Sequence, residues 1–350
     1  MTVASNASNS FIMSLPSPVP EILTHPVGHG LVMGTIILTF FMLISAWSIW
    51  FERRFAGRMQ SRVGPNVVGP AGLLQPIADA IKLLRKENLV PSGADKVLFW
   101  LSPPMTLFFT LATLAVIPLS EDLLVAELDI GLLWVLAFSG LLLFPTWIAG
   151  WASNNKYTLF ASMRAVAQGI SYEIPLLFSA IVPVVVVGSL SISDIVRYQG
   201  EHGWLLFWPL GPGALGFLIF FVASLAEANR IPFDVPEAES ELVAGVTVEY
   251  SGMMYGLFPM TEYVHTLITS ALASALFLGG WYGPFGWAPG VHWMVGKTLF
   301  LFFVIFWARW SLVRFRSDQL MRLCWVWLVP LSLLCVCGAA LWVVYVGGVA

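Results

Sequence analysis

Runs of apolar residues long enough to cross a bilayer constrain the fold of this 350-residue chain more than any other feature. A transmembrane helix needs about 20 predominantly apolar residues, whereas barrel strands alternate apolar with polar side chains. Only 11% of the residues are charged, against roughly a quarter in a soluble domain. We therefore predict an all-α, polytopic transmembrane bundle of about eight spans, at about 30–51, 98–118, 131–151, 173–189, 204–226, 256–280, 295–313 and 325–347.

The number of spans follows from the distribution of basic residues. The fourth run is short, and Pro209 and Pro212 break the fifth, so seven or nine spans remain alternatives. With eight spans, fifteen of the 17 Lys and Arg fall on one side, and Arg197 and Lys297 fall on the other. The positive-inside rule makes the basic side cytoplasmic and puts both termini outside.

The chain divides into an N-terminal extension and one membrane domain. Residues 1–26 lack the basic start, apolar core and cleavage site of a signal peptide, so we predict an extension there. Residues 27–350 form a single transmembrane domain. Its cytoplasmic loops are predicted at about 52–97, 152–172, 227–255 and 309–324.

Cofactor-binding patterns are scarce in this sequence. Cys324, Cys335 and Cys337 all fall in the last apolar run, without the four-cysteine set that an iron–sulfur cluster needs. Of the five histidines only His265 lies within a predicted span, so a haem held between facing histidines is disfavoured. No phosphate-binding loop of the Walker type occurs. We expect no metal or redox cofactor on this chain, and any redox chemistry must come from a partner.

The first cytoplasmic loop begins as an irregular basic segment, because Gly64-Pro65 and Gly69-Pro70 break regular structure. From residue 73 the pattern becomes helical: one face carries Leu74, Ile77, Ile81 and Leu84, and the other carries Asp79, Lys82 and Lys86. This predicts an amphipathic helix at the membrane surface. This basic segment with its helix is either a solvated loop held by lipid phosphates or a docking surface. The docking surface would take a lipid-soluble ligand or a soluble partner.

An acidic segment separates the fifth and sixth spans. Residues 227–249 hold six carboxylates, Glu227, Asp234, Glu237, Glu239, Glu241 and Glu249. Pro232 and Pro236 prevent a continuous helix from span five. In a helix after Pro236, Glu237 and Glu241 would share one face and titrate as a coupled pair, which suits a proton relay. The alternative is a solvated acidic loop, although apolar residues interleave with the acids.

Two further features have two interpretations each. Glu173 precedes Pro175 by two residues and is expected to open span four, where the helix dipole alone would favour it. If it lies deeper, it is a candidate for proton transfer. The last cytoplasmic loop, around Arg309 to Arg322, is either an anchor at the lipid headgroups or a basic, aromatic wall for a partner or ligand.

Four stretches resemble the quinone-chamber membrane subunit of respiratory complex I, the H-subunit family of NADH:quinone oxidoreductase, called subunit 1 in mitochondria. They are RVGPNVVGPAGLLQPIAD at 62–79, EANRIPFDVPEAESELVAG at 227–245, VEY at 248–250 and RFRSDQLM at 314–321. With the helix order, the likeness covers roughly residues 30 to 345.

The resemblance implies a subunit of a proton-translocating enzyme that is not catalytic alone and has no redox centre. It would form a quinone chamber with peripheral iron–sulfur subunits, in a bacterial inner membrane with both termini periplasmic. Quinone is then the substrate, while NADH, FMN and iron–sulfur clusters belong to partner subunits. Small membrane subunits and lipids are further implied partners, and nucleic acid is not.

We predict two groups of functional residues, most of them at positions where the family's roles fall and the others, Arg53, Lys82 and Phe233, close to those positions in the sequence. The quinone-chamber group comprises Arg53, Arg62, Asp79, Lys82, Arg230 and Phe233. The proton-relay group comprises Glu173, Glu227, Asp234, Glu237, Glu239, Glu241, Glu249 and Glu262.

Three other functions compete with this one. The nearest is the related membrane anchor of an energy-converting hydrogenase, which has no quinone substrate; the basic loop with Gly-Pro-Asn favours the quinone enzyme. A stand-alone cation transporter would typically contain internal repeats, and none is visible. A purely structural anchor has no use for carboxylates inside its spans.

Overall fold

The computed structural model describes residues 26–121, 123–207, 211–236, 242–284 and 287–346. Regular structure in these ranges is helical throughout, which confirms the predicted all-α fold. The helices are α1 Pro26–Met59, α2 Gln75–Arg85, α3 Lys96–Leu114, α4 Gly131–Gly140, α5 Leu143–Ala152, α6 Lys156–Val187, α7 Ile192–His202, α8 Pro212–Glu227, α9 Gly252–Phe277, α10 Val291–Ser311, α11 Ser317–Arg322 and α12 Val329–Val346. A π-helical turn, Leu323–Leu328, joins α11 to α12.

Six stretches of the described chain are long and apolar enough to cross a membrane. They are Val32–Met59, Lys96–Leu114, Gly131–Ala152, Lys156–Val187, Val291–Ser311 and Ser317–Tyr345. The shorter apolar α8 and the more polar α9 occupy the predicted fifth and sixth spans. A polytopic helical bundle is thus confirmed, with helices at all eight predicted positions.

Helix α9 lies at the centre of the bundle and packs against α3, α10, α1, α8, α2 and α7. Nearly every residue from Val264 to Phe277 is buried. Several of its hydroxyls bond to carbonyls of their own helix: Thr266 Oγ1 donates to Glu262 O at 2.6 Å, and Ser270 Oγ donates to Thr266 O at 2.8 Å. Small side chains satisfied in this way let neighbouring helices approach closely.

Helix α6 differs most from the sequence prediction. The expected loop at 152–172 is largely helical, because α6 begins at Lys156, where Asn155 caps it by accepting from Tyr157 N at 3.0 Å. It runs for 32 residues with Pro175 and Pro183 inside. Polar residues that interrupt the apolar run find partners in the bundle: Gln168 Nε2 donates to the carbonyl oxygens of Ala226 and Phe233 at 2.8 and 2.9 Å. Glu173 therefore lies in mid-helix, and its expected place at a helix start is wrong.

The last of the predicted loops is also shorter than expected. Helix α10 ends at Ser311 and α11 begins at Ser317, so most of the expected 309–324 loop is helical. The π-helical turn follows, and within it Trp325 Nε1 donates to Ser171 Oγ of α6 at 3.2 Å.

The predicted amphipathic helix is present as α2. Its apolar stripe, Leu74, Ile77, Ile81 and Leu84, is exposed, as expected of a helix lying at the membrane surface. The loop before it is fixed to α1, because Trp50 Nε1 and Arg54 Nη1 both donate to Ala71 O, at 3.1 and 2.7 Å.

Gly150 of α5 provides a test of the α5–α6 packing. A Cβ there would collide with Ser162 Oγ and lie 2.6 Å from the Thr158 carbonyl oxygen. We expect Gly150→Ala to cost about 1–3 kcal/mol of stability, as overpacking typically does. The measurement is the thermal midpoint of the purified protein in detergent. Gly296→Ala is the control, since a Cβ there meets no atom within 4 Å; equal midpoints for both variants would refute the close α5–α6 contact.

Candidate functional site

An apolar cavity of about 330 Å³ lies between α1, α2 and α9. Its walls are mostly aliphatic and aromatic, including Met42, Ala46, Leu83, Met260 and Tyr263. Arg53 and Asp79 also line it, and their side chains pair at 2.8 Å, with Lys82 Nζ 3.8 Å from Asp79. Two predicted chamber residues thus line this cavity and the third, Lys82, lies beside one of them. The cavity is large enough for a small organic ligand.

The other predicted chamber residues lie elsewhere. Arg62 is exposed on the loop before α2, where its Nε donates to Gln60 Oε1 at 2.6 Å. Phe233 is buried in the segment after α8 and stacks on Phe315 with ring centroids 5.6 Å apart. Arg230 is buried beside α9. The predicted chamber residues therefore divide between the apolar cavity and other parts of the structure.

Tyr263 is the wall residue that connects the apolar cavity to buried charge. Its hydroxyl donates to Glu52 Oε2 at 2.6 Å, and Arg309 Nη1 donates to Glu52 Oε1. Glu52 is only 3% exposed. Glu52 is not among the residues predicted from the sequence, where its only signal is a lone carboxylate at the end of the first apolar run. Arg309 therefore has a buried carboxylate as its partner within the protein, whereas its role as a headgroup anchor stays a prediction.

Arg230 extends the same group of charges. Its guanidinium lies over the Tyr263 ring, 4.2 Å from the centroid, and its Nη2 is 3.7 Å from Glu262 Oε2. The Arg230 side chain is 4% exposed, so this charge is compensated inside the protein rather than by solvent. We call Glu52, Arg309, Tyr263, Arg230 and Glu262 the ion-pair network.

A second, polar cavity of about 90 Å³ lies on the other side of the network. Glu227, Glu262, His265 and Tyr172 line it together with Thr106, Thr146 and Thr261. Most of its wall is apolar, and we call it the polar cavity for these ionisable and hydroxyl side chains. Its size suits several water molecules, which these polar groups can bond. His265 Nε2 lies 3.5 Å from Glu227 Oε1, and both side chains are 5% exposed. The sequence analysis noted His265 as the single histidine within a span but gave it no role, and it missed Tyr172.

Glu173 lies on α6, next to Tyr172 in the sequence. Its carboxylate packs against Gly140 at the end of α4, where a Cβ would be 3.0 Å from Glu173 Oε1. Tyr172 lines the polar cavity together with Glu227. The deeper interpretation of Glu173 therefore fits the structure, and the glycine gives the carboxylate its space.

Asp234 is held by the loop between α10 and α11. Arg314 Nη2 donates to Asp234 Oδ2 at 3.1 Å, and Phe315 N donates to Pro232 O at 2.9 Å. Burial raises the pKa of the Asp234 carboxyl above its ordinary value, whereas the charges of Arg314, Arg309 and Arg230 oppose the rise. Arg314 thus contacts a buried carboxylate, so it has a partner within the protein.

The remaining predicted relay residues do not join this cluster. Glu249 accepts from Asn155 Nδ2 at 2.6 Å, at the N-terminus of α6. Glu237, Glu239 and Glu241 lie outside the described residues, so the pairing of Glu237 with Glu241 stays a prediction. Within the described ranges, no three His, Cys, Asp or Glu side chains are grouped closely enough to hold a metal ion.

These features define a polytopic helical membrane protein in which buried ion pairs lie between an apolar and a polar cavity. The sequence model of the NADH dehydrogenase family matches residues 32–340. The chain belongs to the H-subunit family of NADH-quinone oxidoreductase, as the resemblance in the sequence predicted.

Relatives carrying that family name match over most of their length. The protein from Dehalococcoides mccartyi strain CBDB1 is 47% identical over 305 residues, covering 87% of this chain and 84% of the relative. That from Desulfotalea psychrophila is 46% identical over 311 residues, covering 87% and 93%. That from Anaeromyxobacter dehalogenans is 42% identical over 341 residues, covering 91% and 83%.

The Arg314–Asp234 pair predicts a pH-dependent loss of stability. Folding raises the pKa of this carboxyl, so the folded state holds its proton more tightly than the unfolded state does. The free energy of unfolding therefore falls as the pH rises from the pKa of the unfolded chain to the pKa of the folded protein. Because Arg314 opposes the rise, Arg314→Gln raises the pKa of Asp234 further and extends this interval upward. We expect the thermal midpoint of the variant to fall more steeply than that of the wild type between mildly acidic and neutral pH.

Arg316→Gln is the matched control, since Arg316 pairs with Asp318 where both side chains are more than 70% exposed. Surface pairs of this kind contribute little to stability. Identical pH profiles for Arg314→Gln and Arg316→Gln would contradict the role given to Arg314.

Proposed function

We propose that this chain is the membrane subunit of a proton-translocating NADH:quinone oxidoreductase, in which the apolar cavity forms part of the quinone chamber. The observation that carries the proposal is the placement of Tyr263 and Glu262, neighbours on α9. Tyr263 lines the apolar cavity and Glu262 lines the polar one. Arg230 contacts both side chains.

The apolar cavity has the properties expected for a lipid-soluble quinone. It is walled by aliphatic side chains, and one wall is α2, whose exposed apolar stripe suits the membrane surface. The Arg53–Asp79 pair supplies polar groups that can orient a head group. A ligand partitioning in the bilayer would meet this cavity next to the surface helix.

The electrons for quinone reduction come from partner subunits in this proposal. Peripheral subunits bind NADH, FMN and the iron–sulfur clusters, and they complete the chamber over the basic loop where Arg62 is exposed. Further partners are small membrane subunits and lipids. The chain is a multi-pass protein of the bacterial inner membrane with both termini periplasmic, in keeping with the basic residues assigned to the cytoplasmic side.

Coupling occurs through charge. Quinone reduction produces an anionic species that takes up protons, and its charge acts first on Tyr263 and the ion-pair network. A change in the pairing of Arg230 with Glu262 then alters the electrostatic field at Glu227, which lines the same polar cavity as Glu262. Protons then move among Glu262, Glu227 and Glu173, with Asp234 and the Glu237–Glu241 pair supplying protons from the cytoplasmic side. Within the membrane, each carboxylate is retained because it has this use.

Narrowing the apolar cavity tests the chamber. Ala46→Leu adds volume to the α1 wall, so we expect the apparent KM for a soluble quinone analogue to rise about fivefold or more, equivalent to roughly 1 kcal/mol of binding. NADH oxidation with an artificial acceptor should be unchanged, since it bypasses the chamber. Ala137→Leu, on an exposed face of α4, is the control. An unaltered KM in Ala46→Leu would place the quinone elsewhere.

Removing one carboxylate tests the relay. Glu173→Gln keeps the shape of the side chain but cannot ionise, so we expect coupled quinone reduction and proton pumping to fall by about tenfold or more. Assembly and electron entry should survive. Glu121→Gln, at an exposed carboxylate paired with Arg197, is the control. Normal pumping in Glu173→Gln would remove Glu173 from the relay.

The assignment as a whole is tested by purifying the tagged chain from native membranes in mild detergent. Copurifying iron–sulfur subunits with inhibitor-sensitive NADH:quinone reduction would support it. Hydrogenase subunits without quinone activity would transfer the chain to the energy-converting hydrogenases, and purification of the chain alone would revive a transporter.

A further inference from the structure

We propose that His265 is a proton-exchanging member of the carboxylate cluster, passing a proton between its Nε2 atom and Glu227 Oε1. This inference rests on the proposed function, because it names a further group in the same relay. The residue is a histidine within a span whose other polar side chains are mostly hydroxyls bonded to their own helix.

The geometry of His265 suits exchange rather than packing alone. Its Nε2 lies 3.5 Å from Glu227 Oε1, so a small side-chain rotation or one cavity water completes a proton path. Both residues line the polar cavity. A buried imidazole without a polar neighbour would only fill space, whereas this one faces a carboxylate and a hydratable volume.

The charges around His265 come from four elements. Glu227 faces it from α8, and Glu262 shares the cavity from α9 itself. Tyr172 lines the cavity from α6 and is the sequence neighbour of Glu173. Arg230, from the segment after α8, is drawn toward Glu262 and the Tyr263 ring. The immediate partner of the imidazole is therefore a carboxylate.

Exchange within this pair leaves its total charge unchanged. When the Glu227 carboxyl gives its proton to Nε2, a neutral acid and a neutral imidazole become a carboxylate and an imidazolium at ion-pair distance. The reverse step restores both neutral groups. No net charge is created in the apolar interior, where an isolated ion is costly. Histidine is also the side chain type that changes charge most readily near neutral pH.

The test uses the purified wild-type complex and its His265→Asn variant. We expect coupled quinone reduction to fall about tenfold, less than the roughly 100-fold or more that a positioned acid–base group contributes, because cavity water substitutes in part. The pH dependence of turnover should change as well, because the variant lacks one of the groups that can bind a proton. His202→Asn is the matched control, because His202 is exposed and stacks on Tyr198.

A double-variant experiment separates exchange from packing. If His265 acts through Glu227, then His265→Asn has no additional effect on turnover in a Glu227→Gln background. An unchanged rate and pH profile in His265→Asn would overturn the proposal. The proposal would also be overturned if His265→Asn lowered turnover by the same factor in the wild-type and the Glu227→Gln backgrounds. If His265→Asn fails to assemble, His265→Gln, which is long enough to reach Glu227, is judged by the same criteria.

The two levels of the proposal fail separately. Absence of NADH:quinone reduction in the wild-type complex would refute the proposed function itself. Normal wild-type activity, together with unchanged turnover in the His265→Asn variant, would refute only the role of His265.

Discussion

The compensation of buried charge inside an apolar bundle organises this structure. An ion cannot stay charged at bilayer depth without a partner and further hydrogen bonds. Glu52 is held by Tyr263 and Arg309, Arg230 lies between Tyr263 and Glu262, and Asp234 is held by Arg314. Each pair joins segments that are distant in sequence, so the charges fasten α1, α9, α10 and the loops into one arrangement. The cavities lie where that arrangement leaves space.

Local patterns in the sequence predicted local structure well. The stripe of Leu74, Ile77, Ile81 and Leu84 predicted α2, and the Gly-Pro pairs predicted the irregular segment before it. The helix period put Asp79 and Lys82 on one face of that helix, and the family resemblance pointed to Asp79, but no local pattern could pair Asp79 with Arg53 of α1. The length and apolar character of the runs predicted the bundle and its eight helical positions.

The rest depended on long-range contacts. Glu52 and Arg309 are separated by 257 residues, and Glu52 and Tyr263 by 211, so no spacing rule could pair them. The predicted fourth span began too late, at 173, because the charged residues Lys156 and Arg164 and the later Pro175 suggested a loop before it. The sequence could not show that Gln168 has partners within the bundle. His265 was seen but not used, since only the fold brings Glu227 from α8 beside it. In each case a polar residue was misjudged because the group that satisfies it lies elsewhere in the chain.

The π-helical turn at Leu323–Leu328 changes which residues of the last span share one face. The buried residues of this segment are Leu320, Cys324, Leu328, Ser332, Cys335 and Ala339. Leu320 and Ala339 are nineteen positions apart, which would put them about 100° from one another on a regular α-helix. The π turn absorbs the additional residue, so the whole stripe stays on one face against α6 and α8. The span is thus one residue longer than its contacts require, and a deletion within the turn would leave a plain α-helix with the same buried face.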